Sequence, residues 1–416
     1  MSTIVVGAGL AGLTAAIRLA ERGQRVDLLT FGLGGLPLGQ GTIDVLGYLP
    51  AGAERAEQLV DDPFAAFATL AGLRPGHPYA WLTPAEVRAA TDWLARLLPD
   101  WLMPADGHNQ LVATALGAMR PTYLVPGSLV LPDRTGTWAI AGPRQLKDFY
   151  PGWCAENLAL TAGVATKGYQ FDLAARAGEV DSTPTQYARS LADPAYLDRF
   201  AAAVKAVIAD ESAVGLPACL GLTDPTTYRQ LAAKIGRPVF EIILAPPSIP
   251  GLRLNNALTG LAKAAGVHEI IGSKVIGFAA DGAHLSAAIL RQAGRDQAYP
   301  ADSFVFAPGG FESGALSVDS HGQVSETVLN LPLTGADQTD LITDDYWADQ
   351  PLFRVGVATD AAMRPVDASG AAVYDNLRVA GGLLAGASRA SEKSGDAIAL
   401  ASAIRAADAT ATTERN

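Results

Sequence analysis

The stretch from Thr3 to Thr30 constrains this chain more than any other, because a strand, a glycine-rich turn, a helix and a second strand follow one another with almost no residue to spare. Thr3-Ile4-Val5-Val6 is a short apolar strand, and Gly7-Ala8-Gly9-Leu10-Ala11-Gly12 follows at once. A helix then carries Leu13, Ala16, Ile17 and Ala20 on one face and stops at Gly23. Arg25-Val26-Asp27-Leu28-Leu29 reads as the second strand, ending in Thr30. Within a unit of about 30 residues the three glycines have separate jobs: a tight turn, close backbone approach to a pyrophosphate, and tight helix–strand packing. The phosphates then lie on the helix N-terminus. Gly7, Gly9, Leu10, Ala11 and Gly12 are therefore candidate nucleotide contacts. The acid that binds a ribose 2′-hydroxyl belongs at the end of the second strand, where this chain has Thr30. The cradle is present while its adenosine anchor is altered. Gly9→Ala or Gly12→Val is expected to abolish cofactor retention with little effect on folding.

With 416 residues the chain is long for one core, and about two to three domains is the prior. Hydrophobic residues make up 49% and charged residues 18%, as expected of a packed α/β protein and not of a disordered one. No apolar run reaches the roughly 18 residues needed to cross a bilayer. The best candidate, residues 239–252, is interrupted by Glu241 and broken by prolines. A first strand at residue 3 leaves no room for a signal peptide, so the expectation is a soluble cytoplasmic protein. The net charge of −11 and the lack of a Lys/Arg-rich run argue against nucleic acid as a partner. Cys154 and Cys219 form no C-x-x-C pair and are too few to hold an iron–sulfur cluster alone. Cys219, in an apolar stretch, reads as a buried small hydrophobe.

Further along, the glycine-rich segment Gly32 to Gly47, containing Gly39-Gln40-Gly41-Thr42-Ile43-Asp44, is either a loop that wraps a flat cofactor, with Gly41 in it and Thr42 and Asp44 offering polar contacts, or a plain surface loop. Residues 63–73 read as a helix, and another starts at Thr83 with Glu86 at the third position, a capping box. His77, before Pro78, reads as a loop residue. Residues 101–250 change character: short strands at 123–125 and 163–169, a helix at 190–210, and no glycine fingerprint. A hinge at Pro246-Pro247-Ser248-Ile249-Pro250 leads back to the first fold, with a helix at 254–265 and a hairpin about Asp281-Gly282. Ser303 to Ala307 is a buried strand running into Pro308-Gly309-Gly310, and Leu377 to Ala380 is another running into Gly381-Gly382. Ser394-Gly395-Asp396 opens a last, alanine-rich helix. Strands that end in glycines, and a helix N-terminus aimed at the same ligand, are how large flavoproteins hold the flavin ring and ribityl chain. That adds Gly309, Gly381, Gly382, Gly395 and Asp396 to the candidate cofactor contacts. The fold class is α/β: a Rossmann-like FAD/NAD(P)-binding flavoprotein fold from residues 1–100 and 251–416, with an inserted α+β domain over residues 101–250 that caps a substrate or meets a partner.

Gly7 to Gly12, Gly41-Thr42-Ile43-Asp44-Val45-Leu46, His77-Pro78-Tyr79, residues 216–222 around Pro217-Ala218-Cys219, Pro246-Pro247-Ser248, Gly251-Leu252-Arg253-Leu254 and residues 307–311 occur in order along nearly the whole chain. In these segments the chain resembles the B-subunit family of bacterial anaerobic glycerol-3-phosphate dehydrogenase. The resemblance implies a three-subunit, quinone-linked enzyme that oxidises sn-glycerol 3-phosphate to dihydroxyacetone phosphate. It implies FMN as the cofactor of this subunit, with FAD as the alternative. An FAD-bearing catalytic subunit and an iron–sulfur membrane-anchor subunit are the implied partners, and they would bring this chain to the membrane periphery. Before the last helix, Ser391-Glu392-Lys393-Ser394-Gly395-Asp396 departs from the glycine-rich run of the family pattern. Lys393, together with the helix dipole, is expected to put positive charge near the flavin N1 side.

Alcohol oxidation by a flavin needs a base for the hydroxyl proton. Among the five histidines, His77, His108, His268, His284 and His321, His108 is the most suggestive, but no catalytic base is assigned. Arg120 and Arg253 are candidates for holding a phosphate, since a planar guanidinium suits bidentate contact. Direct oxidation and electron relay stay open as roles. So do a flavin-poor scaffold subunit and a free-standing FAD-dependent oxidoreductase.

Overall fold

The computed structural model describes residues 2–51, 57–292, 294–338, 340–346 and 348–413. Among these the chain divides into two compact units, one made of Met1–Gly35, Asp44–Leu94 and Asn255–Asn416, the other of Leu36–Ile43 and Ala95–Leu254.

The first unit is built on the strand–turn–helix–strand segment. Strand β1 (Ser2–Val6), helix α1 (Leu10–Glu21) and strand β2 (Arg25–Thr30) lie where the apolar pattern puts them. Three strands from later in the chain join them: β3 (His268–Ile271), β4 (Ser303–Phe306) and β5 (Leu377–Val379). The sheet runs β3-β2-β1-β4-β5, and every pairing is parallel. Its central strands are nearly continuous apolar runs, as a sheet covered on both faces requires. Ile4, Val5, Leu28, Leu29, Phe304, Val305, Phe306, Leu377 and Val379 are all buried. Helix α2 (Gly395–Thr413) packs on α1, and both helices bury small residues, Ala403, Ala406 and Ala407 on the first and Ala15 and Ala16 on the second. A three-stranded antiparallel sheet, Lys274–Asp281, His284–Gln292 and Arg295–Pro300, has its first turn at the expected hairpin. Thr83 and Glu86 form their capping box: the Thr83 amide donates to Glu86 Oε2 at 2.9 Å and the Glu86 amide to Thr83 Oγ1 at 3.3 Å.

The second unit has its own parallel four-stranded sheet, in the order Val239–Ile242, Ala213–Pro217, Thr137–Pro143, Ala165–Phe171. Its core holds Trp138, Phe149, Phe171, Phe200 and Phe240, together with both cysteines. Burial pushes the Cys219 thiol well up, so it behaves as the small hydrophobe expected of it. Of the helix expected over 190–210 the structure has Pro194–Val207, and a separate helix, Pro184–Ser190, ends just before it. Asp193 caps Pro194–Val207 by accepting from the Ala195 amide at 3.0 Å, and Pro194 occupies its first turn, where a missing N–H costs nothing. The strand expected at 123–125 lies a few residues earlier, at Met119–Thr122, paired with Gln110–Ala113. Among the described residues no helix is long and apolar enough to cross a membrane.

Candidate functional site

In a parallel sheet, ligands bind outside the carboxyl ends of the strands, where the order reverses. At that edge of the first unit stand Gly7 after β1, Ala307-Pro308-Gly309 after β4 and Gly381 after β5. The structure separates the roles of the cradle glycines. Gly7 has φ +100°, and a Cβ there would collide with the Ala307 carbonyl. A Cβ on Gly12 would run into the carbonyl of Gly7, so this glycine seats α1 on the turn. Gly9, the N-cap, has nothing within 4 Å of its Cβ position, and no side chain caps the helix. The α1 N-terminus is thus open on the side from which an anion would approach its N–H groups. Leu10 and Ala11, in its first turn, are buried behind that opening.

The geometry corrects the expectation for Gly12→Val. That substitution meets backbone, so it disturbs the fold as well as the cradle, and only Gly9→Ala separates the two effects. Gly34 lies in the glycine-rich segment Gly32 to Gly47 but was not singled out within it. It has φ +69°, and a Cβ there would stand 2.7 Å from Gly9 N, so the loop after β2 lies against the cradle backbone. Thr30, buried at the end of β2, donates its hydroxyl to the Gly32 carbonyl at 2.6 Å. It holds the loop in place and brings no carboxylate to a ribose.

The later glycines gather at the same edge. Gly381 has φ +76°, donates its N–H to Ser402 Oγ at 3.0 Å, and sits so close to α1 that a Cβ would be 2.7 Å from that of Ala11. Gly309 has φ +95°. A Cβ on Gly310 would be 2.7 Å from Arg389 Nη2 and 3.0 Å from the Gly382 carbonyl, and one on Gly382 would strike Arg389 Nη1. Arg389 therefore lies with its guanidinium over both glycines, and its one ion-pair partner among the described residues is the exposed Glu312, at 3.4 Å. Sequence reasoning missed it, and the cation expected here was Lys393. The Lys393 ammonium instead donates to the Ala390 carbonyl at 2.6 Å, closing the turn in which Lys393 adopts a left-handed conformation (φ 52°).

The turn before α2 is zipped to residues 44–47. Gly47 N donates to Glu392 O (2.9 Å), Ala397 N to Asp44 O (3.0 Å), and Asp44 N to Asp396 Oδ2 (3.1 Å). Gly395 packs on the Arg389 side chain, its Cβ position 3.3 Å from that of Arg389. Beneath this turn lies a group that the sequence presents only as a loop. His77 and Glu392 are fully buried, with Nε2 and Oε2 3.1 Å apart. Tyr79 donates its hydroxyl to Val45 O at 2.5 Å, and burial together with the charges of Glu392, Asp396 and Asp44 keeps that phenol protonated well above its ordinary pKa.

Gly41 and Thr42 belong to the second unit. Gly41 has φ +71° and lies against Pro250, while Thr42 Oγ1 accepts from Arg120 Nη1 at 3.3 Å. Arg253, expected to be free for a phosphate, is not. It forms a buried bidentate pair with Glu241 (2.6 and 2.8 Å) and donates Nε to Gly221 O at 2.7 Å. His108 is exposed in the same unit. His268 and His284 are surface residues paired with Asp27 and Asp375, each at 2.9 Å.

The profile of the FAD binding domain family matches residues 2–398. A protein of Halobacterium salinarum, named as a probable B-subunit of anaerobic glycerol-3-phosphate dehydrogenase, is 32% identical, over 98% of this chain and 97% of its own length. A Yersinia enterocolitica protein, named as the B-subunit of anaerobic glycerol-3-phosphate dehydrogenase, is 30% identical, over 97% of this chain and 96% of its own. Among solved structures, the open conformation of a flavocytochrome c3 fumarate reductase superposes with a TM-score of 0.48 at 12% identity, covering 100% of this chain and 79% of that one.

Proposed function

This chain belongs to the anaerobic glycerol-3-phosphate dehydrogenase B-subunit family and to the wider FAD binding domain family, and from that premise we propose that it is the FMN-bearing subunit of a quinone-linked complex that oxidises sn-glycerol 3-phosphate to dihydroxyacetone phosphate. It is a flavin-dependent dehydrogenase subunit, one part of a multi-subunit enzyme. The observation that carries the cofactor reading is the open, uncapped N-terminus of α1 beside Gly9, flanked by positive-φ glycines at the ends of three parallel strands. The residues fit a phosphate-bearing ligand: Gly9, Leu10 and Ala11 offer backbone N–H groups, Gly9 leaves the approach to them open, and Gly7, Gly34, Gly309 and Gly381 let the surrounding backbone close up around that helix end. In this reading Gly382, Gly395 and Asp396 border the ring end. Gly41 and Thr42, which belong to the second unit, keep their place in the proposal from the sequence alone.

A bound flavin supplies an acceptor for two electrons that can pass them on singly. FMN is favoured over FAD because Thr30 closes its own loop and no acid stands at the end of β2. Arg389, over Gly310 and Gly382 with an exposed carboxylate as its ion-pair partner, is the cation best placed to meet an anionic group at that end. The proposed partners are an FAD-bearing subunit and an iron–sulfur subunit, which would hold the chain at the membrane surface. We further propose that this subunit relays electrons between them, since a flavin takes up two electrons and can release them singly.

Purification, denaturation and chromatography of the released flavin test the cofactor. FMN supports the reading, FAD moves the adenosine to another anchor, and failure to take up either supports a scaffold subunit. Anaerobic mixing then separates the two roles. Bleaching of the flavin by glycerol 3-phosphate alone means direct oxidation, and bleaching only with the partner subunits present means relay.

A further inference from the structure

Residues far apart in sequence meet beneath the first turn of α2. His77 Nδ1 accepts from the Tyr79 amide at 3.0 Å, so its ring proton is on Nε2 and points at Glu392 Oε2, 3.1 Å away. Ser394 Oγ donates to the same oxygen at 3.0 Å. The Tyr79 hydroxyl bridges Val45 O and, at 3.3 Å, Ser394 O. Glu392 is 1% exposed and His77 0%. The ring brings a dipole and not a cation to the carboxylate, and Glu392 Oε1 is buried with no hydrogen-bond partner among the described residues. A buried oxygen of this kind is costly unless something else meets it. The position matters. Glu392 lies three residues before Gly395, Gly395 packs on Arg389, Arg389 covers Gly310 and Gly382, and Gly381 touches Ala11 in the first turn of α1. The turn that carries this carboxylate therefore also carries the Arg389 and Gly395 that border the glycine edge.

We propose that His77 and Glu392 are positioning residues for the flavin: His77 orients the Glu392 carboxylate, which fixes Ser394 and the first turn of α2 and holds a buried negative charge beside the ring end of the site, making the bound flavin harder to reduce. This rests on the flavin reading above. The nearby cations, Arg389 and Lys393, are partly exposed, so their opposing effect is screened by solvent.

The test uses the full chain in two measurements. In flavin-loaded protein, Glu392→Gln keeps an acceptor for His77 Nε2 and removes the charge. At a fixed electrode potential the ratio of reduced to oxidised flavin should rise on the order of tenfold, the effect of one charge at about 10 Å in a protein-like dielectric. His77→Gln, which keeps a donor toward Glu392, should retain the wild-type potential. A folded, flavin-replete Glu392→Gln protein with an unchanged midpoint overturns the electrostatic role. In flavin-free protein, His77→Phe should speed hydrogen exchange at residues 394–398, with the milder Ser394→Ala doing so to a smaller extent. Unchanged exchange in both overturns the brace. A wild-type chain that takes up neither FMN nor FAD overturns the flavin reading and the electrostatic role with it, while the exchange result still decides the brace.

Discussion

Glu241 in the second unit and Glu392 in the first are both buried carboxylates, and their hydrogen-bond networks are finished to different degrees. In the second unit Glu241 accepts from Arg253 through both oxygens, from Ser128 Oγ at 2.6 Å and from the Leu220 amide at 2.8 Å. Both oxygens are satisfied, and the charge is met by a cation in the planar geometry that suits it. In the first unit Glu392 gathers both of its side-chain donors, His77 and Ser394, on one oxygen, and the other has no partner among the described residues. A buried network with both carboxylate oxygens satisfied and its charge met by a cation is architecture. One left with an unpartnered oxygen, in the turn that also carries Arg389 and Gly395, is the arrangement expected where a ligand completes the set.

The comparison is broken most severely on the closed side. Removing one partner of a buried pair leaves an uncompensated charge, so Arg253→Met should lower stability by about 3–5 kcal/mol in urea unfolding. Adding Glu241→Leu should recover part of that loss, since replacing both members removes the stranded carboxylate. A single variant as stable as the wild type would mean that water reaches Glu241 and the closed network is not closed.

Next in size is Gly12→Val. Its added atoms meet the Gly7 carbonyl, and overpacking against backbone costs about 1–3 kcal/mol. Flavin retention should fall with it, because the turn that presents Gly9 must shift. A variant that keeps both its melting temperature and its flavin would show that the turn has slack the geometry does not suggest.

What the sequence made legible follows from distance along the chain. The β1–α1–β2 unit could be read because its glycines, apolar face and strand ends all fall within one local spacing, and each local preference agrees with the final fold. The Thr83–Glu86 box was readable for the same reason. His77 and Glu392 are 315 residues apart, and neither has a local pattern that announces the other. Arg253 was misread as a phosphate ligand although a clue was present. Glu241 stands alone in the apolar run Val239-Phe240-Glu241-Ile242, and a buried acid there needs a cation. The helix start at Asp193-Pro194 was a local signal overlooked, a capping acid followed by a proline inside what reads as one helix. Arg389 was hidden because its value lies in which glycine backbones it covers, and that is set by the sheet order and not by spacing in the chain.

Opening each network by one hydroxyl should give smaller and unequal effects. Ser128→Ala leaves Glu241 with Arg253 and the Leu220 amide, a loss of about 1 kcal/mol, the usual net worth of a single hydrogen bond. Ser394→Ala leaves Glu392 with His77 alone, so more of the desolvation penalty is exposed, about 1–3 kcal/mol. Bound flavin should narrow that gap if it completes the open network, and titrating FMN during thermal unfolding of both variants measures this directly. Equal sensitivity with and without flavin would return Glu392 to the same structural category as Glu241.

The smallest stability change belongs to Gly9→Ala, which makes it the most informative. Gly9 has φ −77° and ψ −176°, an extended conformation open to any residue, and its Cβ position meets no atom within 4 Å. Alanine at an N-cap in place of glycine forfeits little, so unfolding should move by no more than about 0.5 kcal/mol. The methyl group would nevertheless occupy the space that a phosphate must enter to reach the α1 N–H groups, and FMN affinity should fall at least on the order of tenfold, about 1.4 kcal/mol. A folded Gly9→Ala protein that binds flavin as tightly as the wild type would place the phosphate somewhere other than this helix end. Loss of flavin with unchanged unfolding would assign the opening at Gly9 to the ligand alone, the property that distinguishes the unfinished edge of the first unit from the closed core of the second.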